Sequence, residues 1–228
     1  MKPLKILVIA AHPDDEVLGC GATIKKWTAD GSQAYALILA QGITSRSGEA
    51  DVREKLEALK NDSLEASRIV GYKTVLFEEF PDNRMDSVDL LDVIHKIEAY
   101  IEKMKPEIIF THHHADLNID HRITYEAVIT ACRPHAGSSV KSIYSFQIPS
   151  STEWHFPYHK NAFSPNTFVD VTKTVQTKIA AFSRYKSEIR ETPHPRSAEI
   201  IGTIAKQWGS VANMEYAEAF ELIYAVVK

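Results

Sequence analysis

The sequence predicts an α/β fold of the doubly wound type, in which a mostly parallel sheet is covered by helices. Two observations carry this prediction. Between residues 5 and 134, apolar segments rich in branched side chains alternate four times with segments of helical periodicity. The apolar segments are continuous, which is typical of strands that are buried on both faces. Strands that alternate with helices in this way favour a parallel sheet.

The strands and helices of this first part are bounded by turn and cap residues. The predicted strands cover 5–11, 34–40, 73–79 and 107–112, and the predicted helices cover 21–30, 49–71, 87–106 and 120–134. Gly31 and Gly71 follow two of the helices as C-caps. Ser87 precedes the third helix as N-cap, and Pro134 ends the fourth.

After residue 140 the pattern loosens, but strands and helices are still recognisable. The predicted strands cover 141–148, 166–172 and 218–227, and the predicted helices cover 172–189 and 196–211. The sequence shows no linker, internal repeat or low-complexity segment. We therefore expect a single domain over residues 1–228.

The composition argues against several classes of protein. The 228 residues carry a formal net charge of −4, so there is no basic excess to bind a nucleic-acid backbone. The apolar run at the N-terminus is too short for a signal peptide or a membrane span, and no later run is long enough. Cys20 and Cys132 lie too far apart for a metal motif or a disulfide framework. We expect a soluble cytoplasmic protein with reduced thiols.

Two of the predicted strands end in segments rich in coordinating side chains. The first leads into Ala-His-Pro-Asp-Asp-Glu at 11–16, and the fourth leads into the segment 111–121, which holds four histidines. In open α/β sheets, ligands bind beyond the carboxyl ends of the strands, where these two segments can converge. We expect Gly19 and Gly21 to let the chain turn tightly into the first helix.

Together the two segments offer a metal site. His12 and Asp15 supply an imidazole nitrogen and a carboxylate, a pair that suits an ion such as zinc. A catalytic zinc site needs three protein ligands and an open position for water, and His121 can supply the third. Asp14 could then face the water as a base, while Asp120 orients a neighbouring group by a hydrogen bond.

Each of these side chains also has a plainer structural explanation. Asp14 and Asp15 could be only a helix N-cap and its acidic first turn. The three imidazoles of 112–114 could be partly exposed loop residues, and His121 could simply pack on the sheet. The occurrence of both segments at strand ends favours the metal site.

The segments 11–24 (AHPDDEVLGCGATI) and 116–128 (DLNIDHRITYEAV) resemble the LmbE/PIG-L family of zinc-dependent N-acetylglucosamine deacetylases. The family includes deacetylases of mycothiol, bacillithiol and glycosylphosphatidylinositol anchor synthesis. The resemblance extends from residue 5 to about residue 205. It implies a Rossmann-like, mostly parallel sheet with helices on both faces.

The resemblance also implies roles for individual residues. The implied zinc ligands are His12, Asp15 and His121, and the implied catalytic residues are Asp14 as general base, Asn118 and Asp120. Many family members have a histidine where this chain has Asn118, which can donate a hydrogen bond to an oxyanion but cannot supply a proton. The group that helps to stabilise the developing charge is then Asn118 itself, zinc alone, or one of the histidines 112–114.

Three further residues resemble family positions that contact the substrate, namely Arg53, His194 and Arg196. A surface role is the alternative for both arginines. The aromatic residues between 154 and 159 could stack on a sugar, but we expect them in the core or in an oligomer contact.

The predicted function is hydrolysis of the N-acetyl amide of an N-acetylglucosamine-type sugar or its conjugate, by water activated on zinc with Asp14 as base. The alternative is a zinc amidohydrolase that acts on a small N-acyl compound other than a sugar, because the motifs do not fix the substrate pocket. Another divalent ion such as Fe²⁺ could replace zinc. We expect a small-molecule amino-sugar conjugate as partner, with no nucleic acid and no membrane span, and the resemblance implies a homo-oligomer.

Overall fold

The computed structural model describes residues 3–43, 52–156 and 161–227, and it is built on a seven-stranded sheet. The strands are β1 (Lys5–Ala10), β2 (Gln33–Ala40), β3 (Thr74–Phe80), β4 (Ile108–His112), β5 (Ser142–Phe146), β6 (Thr167–Asp170) and β7 (Ala217–Ala225). Their order across the sheet is β3-β2-β1-β4-β5-β7-β6. β1 to β5 are parallel, whereas β7 is antiparallel to its neighbours β5 and β6.

In the described part of the chain, six α-helices cover the two faces of this sheet. They are α1 (Asp15–Ala29), α2 (Val52–Val70), α3 (Leu90–Met104), α4 (Ile119–Ala131), α5 (Val175–Phe182) and α6 (Ala198–Val211). Side chains of α1, α2, α5 and α6 form one apolar core, and those of α3 and α4 form the other. The predicted α/β fold, a mostly parallel sheet with helices on both faces, is confirmed.

The central strand β1 shows why the sheet is covered on both sides. Ile6 and Val8 belong to the core under α1, whereas Leu7 and Ile9 belong to the core under α3. All four side chains are fully buried. A buried Leu, Ile or Val side chain stabilises the fold by about 1.5–3 kcal/mol, so a continuous apolar strand needs a helix layer on each face.

The predicted start of the first helix is wrong. α1 begins at Asp15, directly after the β1 loop, and not at residue 21. Gly19 and Gly21 therefore lie inside the helix and do not form a turn. A Cβ atom on Gly19 would lie 2.5 Å from the ring of Phe146, so Gly19 lets α1 pack closely against the end of β5.

The predicted helix 172–189 is also too long, because α5 covers only Val175–Phe182. After Phe182 the chain continues in turns, which bring Tyr185 into the core and carry Glu188 towards the site. The predicted start of the second helix at residue 49 lies outside the described residues. Within the described ranges, no helix combines the length and the apolar character that crossing a bilayer requires.

Candidate active site

The site lies at the carboxyl ends of β1 and β4, where the strand order reverses. From β1 the sheet continues through β2 on one side and through β4 on the other. Open α/β sheets bind their ligands at such a switch point. His12 lies in the loop after β1, Asp15 opens α1, and His121 lies in the first turn of α4.

Three side chains from these elements converge on one point. Nδ1 of His12 lies 3.3 Å from Nε2 of His121. Oδ2 of Asp15 lies 3.5 Å from the first of these nitrogens and 3.3 Å from the second. Two nitrogens and one oxygen at such distances can hold one metal ion and leave a coordination position open for water. The structure thus brings together the three residues predicted as metal ligands, His12, Asp15 and His121, which we call the metal triangle.

The buried carboxylates in and around the metal triangle favour a bound cation. Oδ1 of Asp15 is buried and has no hydrogen-bond partner among the residues that the structure describes. Burial disfavours the charged form of His12, but Asp120 and Asp15 outweigh it and raise the pKa of His12 to about 10. Burial acts in the same way on His121, whose pKa is raised to about 9 mainly by Asp15 and Asp116. A divalent cation would supply the positive charge that these carboxylates attract, so the residues fit a metal.

Each imidazole of the triangle also contacts a second carboxylate through its other nitrogen. Oδ2 of Asp120 lies 3.0 Å from Nε2 of His12, and Asp120 is itself held by the backbone N–H groups of Asn83 and Met85. Oδ1 of Asp116 lies 3.0 Å from Nδ1 of His121. Carboxylates in this position orient metal-binding imidazoles and raise their basicity. The structure brings Asp120 against His12, while its predicted role stays a prediction, and the sequence analysis missed Asp116.

The three consecutive histidines have different surroundings, and only His112 contacts the metal triangle. His112 is fully buried, its ring stacks on His121 with centroids 3.9 Å apart, and Ala11 N–H donates to its Nε2 at 2.8 Å. Nδ1 of His113 lies 2.9 Å from Oε2 of Glu221. His114 alone is exposed. None of the three is among the described residues that line the cavity in front of the site, which disfavours them as stabilisers of the developing charge.

Asp14 occupies the N-cap of α1 in an unusual backbone conformation, with φ of 117° and ψ of −31°. Its side chain is only 2% exposed, and Nη1 of Arg196 donates to its Oδ2 at 2.9 Å. Burial raises the pKa of the Asp14 carboxyl well above its usual range, and the guanidinium of Arg196 opposes this effect. A carboxyl group in such surroundings is suited to hold a proton during a reaction.

Arg196 was predicted to bind substrate, and the structure places it against the predicted base. The same Nη1 atom donates to Oε2 of Glu188 at 3.0 Å, and Nε donates to Oγ of Ser150 at 2.9 Å. The backbone N–H of Arg196 donates to Nδ1 of His194 at 3.1 Å. Arg196 and His194 both line the cavity, so both lie where a substrate would reach them.

Asn118 is the N-cap of α4, which explains part of its presence in the motif. Its Oδ1 accepts the N–H of Asp120 at 2.8 Å, and its Nδ2 donates to Oδ1 of Asn83 at 2.8 Å. An N-cap asparagine typically stabilises its helix by about 1 kcal/mol. Asn118 lines the cavity, and Asn83 accepts one of the two N–H groups of its Nδ2.

A cavity of about 700 Å³ opens in front of these residues. Its inner end holds His12, Asp14 and His121, and its wall includes Leu117 and Trp154. Trp154 thus faces the cavity and is 39% exposed, so the expectation that it lies in the core is wrong, whereas an oligomer contact stays a prediction. The other predicted aromatic positions at 158 and 159 lie outside the described residues.

Arg53 does not join this group. It is exposed in the first turn of α2 and is not among the described residues that line the cavity. The segment 44–51, which precedes it, lies outside the described residues. A role for Arg53 in substrate binding stays a prediction.

The comparison with known proteins decides the family. Residues 7–132 match the sequence profile of the family described as "PIG-L: GlcNAc-PI de-N-acetylase". The chain belongs to the PIG-L family. The matched residues include the metal triangle and Asp14, whereas Arg196 and His194 come from the part of the chain beyond the match.

Two individual relatives are described as deacetylases, as the family model is. The chain is 31% identical over 188 residues to YaiS of Escherichia coli K12, described as an uncharacterized deacetylase, with 80% of this chain and 90% of YaiS covered. It is 26% identical over 232 residues to the diacetylchitobiose deacetylase of Thermococcus kodakarensis, with 96% of this chain and 83% of that protein covered. Family deacetylases of this kind depend on a metal.

A solved structure shows how widely this PIG-L fold is used. GalB of Pseudomonas putida, a 4-carboxy-2-hydroxymuconate hydratase, superposes with a TM-score of 0.79 at 22% identity and covers 99% of this chain and 98% of its own. At this identity the likeness concerns the fold alone. The reaction must therefore be argued from the site.

Proposed function

We propose that this protein is a metal-dependent N-deacetylase that hydrolyses the N-acetyl group of an N-acetylglucosamine-type sugar or its conjugate. The observation that carries the proposal is the position of Asp14. Its buried carboxylate lines the same cavity as the metal triangle and is held by Arg196. A protein that only bound a metal or a sugar would not need a base at this point. The membership in the PIG-L family supports the same reaction.

His12, Asp15 and His121 would hold the metal. A bound divalent ion supplies Lewis-acid chemistry to the amide carbonyl and makes water more acidic. The two nitrogens and one carboxylate oxygen suit zinc, which we propose as the working ion, and Fe²⁺ accepts the same donors.

In the proposed reaction, Asp14 transfers a proton from the attacking water to the departing amine. The carboxylate of Asp14 accepts a proton from the water that attacks the amide carbon, and a C–O bond forms. The C–N bond then breaks, and Asp14 returns the proton to the departing amine, so that the products are acetate and the free amino sugar. Arg196 holds Oδ2 of Asp14 in place, and general acid–base help of this kind typically contributes roughly 10²- to 10⁴-fold in rate.

We propose His194 as the side chain that binds a substrate oxygen. Its Nδ1 accepts the N–H of Arg196, so a neutral His194 carries its proton on Nε2. His194 lines the cavity, where an N–H donor can stabilise a developing negative charge. Asn118 is the second candidate for this task, because it also lines the cavity and only one of the two N–H groups of its Nδ2 is needed for the bond to Asn83.

The size of the cavity favours a conjugate over a free monosaccharide. A volume of about 700 Å³ lies in the range of pockets that hold drug-sized ligands. Leu117 and Trp154, which line it, are 49% and 39% exposed, so they can contact a group attached to the sugar. The predictions of a homo-oligomer and of a cytoplasmic location rest on the sequence and go with this proposal.

The proposal is tested by amine release from a panel of N-acetyl compounds. The panel contains free N-acetylglucosamine, N,N'-diacetylchitobiose, aryl and acidic glycosides of N-acetylglucosamine, and small N-acyl compounds that are not sugars. The protein is assayed after chelation and again after reloading with Zn²⁺ or Fe²⁺. We expect release from at least one amino-sugar conjugate that disappears on chelation and returns on reloading. Release from non-sugar compounds alone would contradict the proposed substrate, and metal-independent release would contradict the mechanism.

A further inference from the structure

We propose that Glu16 is a positioning residue that fixes the backbone of Asp14 and thereby the direction of the Asp14 carboxylate. This inference rests on the proposed function, because it gives Glu16 its effect through the proposed base. Glu16 is fully buried and is not among the described residues that line the cavity, so it has no contact with substrate there.

The first step of the argument is the conformation of Asp14. A φ of 117° is rare for any residue other than glycine, and it persists only where the surroundings impose it. The carbonyl of Asp14 accepts the N–H of Val17 at 3.1 Å and of Leu18 at 2.9 Å, so it begins the hydrogen bonding of α1. Because φ is positive, the N–H of Asp14 does not point along the axis of α1. That N–H donates to Oε2 of Glu16 at 3.0 Å.

This arrangement differs from an ordinary helix start. In a capping box, the acidic side chain three residues after the N-cap accepts the N–H of the N-cap residue. Here the acceptor is only two residues after the N-cap, and the N-cap side chain makes no capping hydrogen bond. The Asp14 carboxylate is instead left to face Arg196 and the cavity. The bond from Asp14 to Glu16 therefore replaces the usual cap and leaves the base available.

The second step is that Glu16 is itself held by two tyrosines. The hydroxyl of Tyr185 donates to Oε1 of the Glu16 carboxylate, and Tyr185 is completely buried. The hydroxyl of Tyr72 donates to the main-chain carbonyl of Glu16 at 2.9 Å. Tyr185 comes from the turn after α5 and Tyr72 from the turn after α2, so two distant parts of the chain hold Glu16 in one place.

The expected effect of losing this contact is kinetic. In Glu16→Ala the Asp14 N–H has no carboxylate acceptor, and the Asp14 side chain leaves its position beside the substrate. We expect kcat to fall roughly 10- to 100-fold, the loss typical of a displacement of about 1 Å, while KM and metal content stay close to those of the wild type. In Glu16→Gln the amide oxygen can still accept from Asp14 and the amide NH₂ can donate to the oxygen of Tyr185. This variant should therefore restore most of kcat.

A double-mutant cycle with Asp14→Asn separates positioning from a general structural effect. If Glu16 acts through Asp14, Glu16→Ala should lower the residual activity of Asp14→Asn by less than about twofold. An equal loss in both backgrounds would show that Glu16 acts independently of Asp14 and would overturn the inference. Full activity of Asp14→Asn alone would instead overturn the proposed function, so the two failures are distinguishable.

Two tyrosine variants test the inference if Glu16→Ala does not fold. Tyr185→Phe removes the hydroxyl that holds the Glu16 carboxylate, and Tyr72→Phe removes the hydroxyl that holds the Glu16 main chain. Each deletes one buried oxygen next to the same residue, so the pair is matched. We expect a lower kcat for Tyr185→Phe than for Tyr72→Phe at equal metal content. A wild-type kcat for Tyr185→Phe at equal metal content would contradict the inference.

Discussion

Two adjacent carboxylates have different surroundings, and this difference is the basis of the proposed chemistry. Asp15 lies among imidazoles, and His121 and His112 hold its pKa well below the usual range against the opposing effect of burial. Asp14 lies against Arg196, and burial raises its pKa. α1 begins between the two residues, so their side chains point to different partners. One is therefore suited to hold a cation and the other to carry a proton.

At the residue scale, removal of a metal ligand should abolish metal binding before it affects the fold. Asp15→Ala and His121→Ala each leave two of the three converging atoms. Loss of a residue that hydrogen-bonds to a metal ligand typically weakens metal affinity roughly 10- to 100-fold. Loss of a direct ligand should therefore weaken metal affinity more. The check is the metal content after equilibration with a competing chelator.

The matched control for these variants is His135→Ala. His135 is an exposed histidine and belongs to none of the groups of described residues that could hold a metal ion. We expect it to bind metal as the wild type does. Metal bound at wild-type affinity by Asp15→Ala or His121→Ala would refute the assignment of the ligands.

The sequence alone could predict the triangle and Asp120 but not the other residues that support them. His12, Asp15 and His121 follow strand ends, and parallel strands bring such positions together. Asp116 lies in the second motif but has no role assigned from the sequence, and Glu188 lies far from either motif and reaches the site through the turns after α5. Periodicity gives no indication of a contact that depends on the path of a loop.

At the scale of elements, the strands were easier to predict than the helix ends. Continuous apolar runs mark buried strands, and all seven were found. Gly19 and Gly21 suggest a turn in the sequence, but glycine is present at position 19 inside the helix because α1 packs closely on Phe146. The helical periodicity of α5 continues beyond Phe182 in the sequence, although the chain turns away.

The close approach of α1 to β5 gives a prediction for stability. Gly19→Ala would place a Cβ atom 2.5 Å from the ring of Phe146, so the helix or the ring must move. We expect a loss of about 1–3 kcal/mol in the free energy of unfolding. The measurement is urea denaturation followed by circular dichroism.

Gly202→Ala is the control in a second buried helix. Its Cβ atom would meet Ile179 at an ordinary 3.7 Å, so only the helix propensity changes. We expect it to be neutral or to stabilise the protein by up to about 1 kcal/mol. Equal effects of the two substitutions would contradict the packing explanation for Gly19.

At the scale of the whole molecule, the site is assembled from both halves of the chain. The first part supplies the metal triangle and Asp14, within the residues that match the PIG-L family. The later part supplies Trp154, His194 and Arg196, which line the cavity from outside the matched region. The metal triangle and the proposed base thus come from the first part, and the second part holds that base through Arg196 and completes the cavity wall. We expect substrate selectivity to depend on the second part.

This division predicts the effect of changing Trp154. Trp154→Ala should lower kcat/KM for an aryl glycoside of N-acetylglucosamine by roughly 2- to 10-fold, because one aromatic contact typically contributes that much to binding. The value of kcat/KM for the free sugar should change less. Phe156→Ala is the control, because Phe156 is 83% exposed and is not among the described residues that line the cavity. Equal losses on both substrates would contradict a role in binding the attached group.

The central claim is that Asp14 is the base of a metal-dependent deacetylation. The most direct measurement compares amine release and metal content of the wild type and Asp14→Asn, both loaded with zinc, on the best substrate of the panel. We expect Asp14→Asn to keep its metal and to lose roughly 10²- to 10⁴-fold in kcat. An Asp14→Asn protein that retains full activity at equal metal content would contradict the claim.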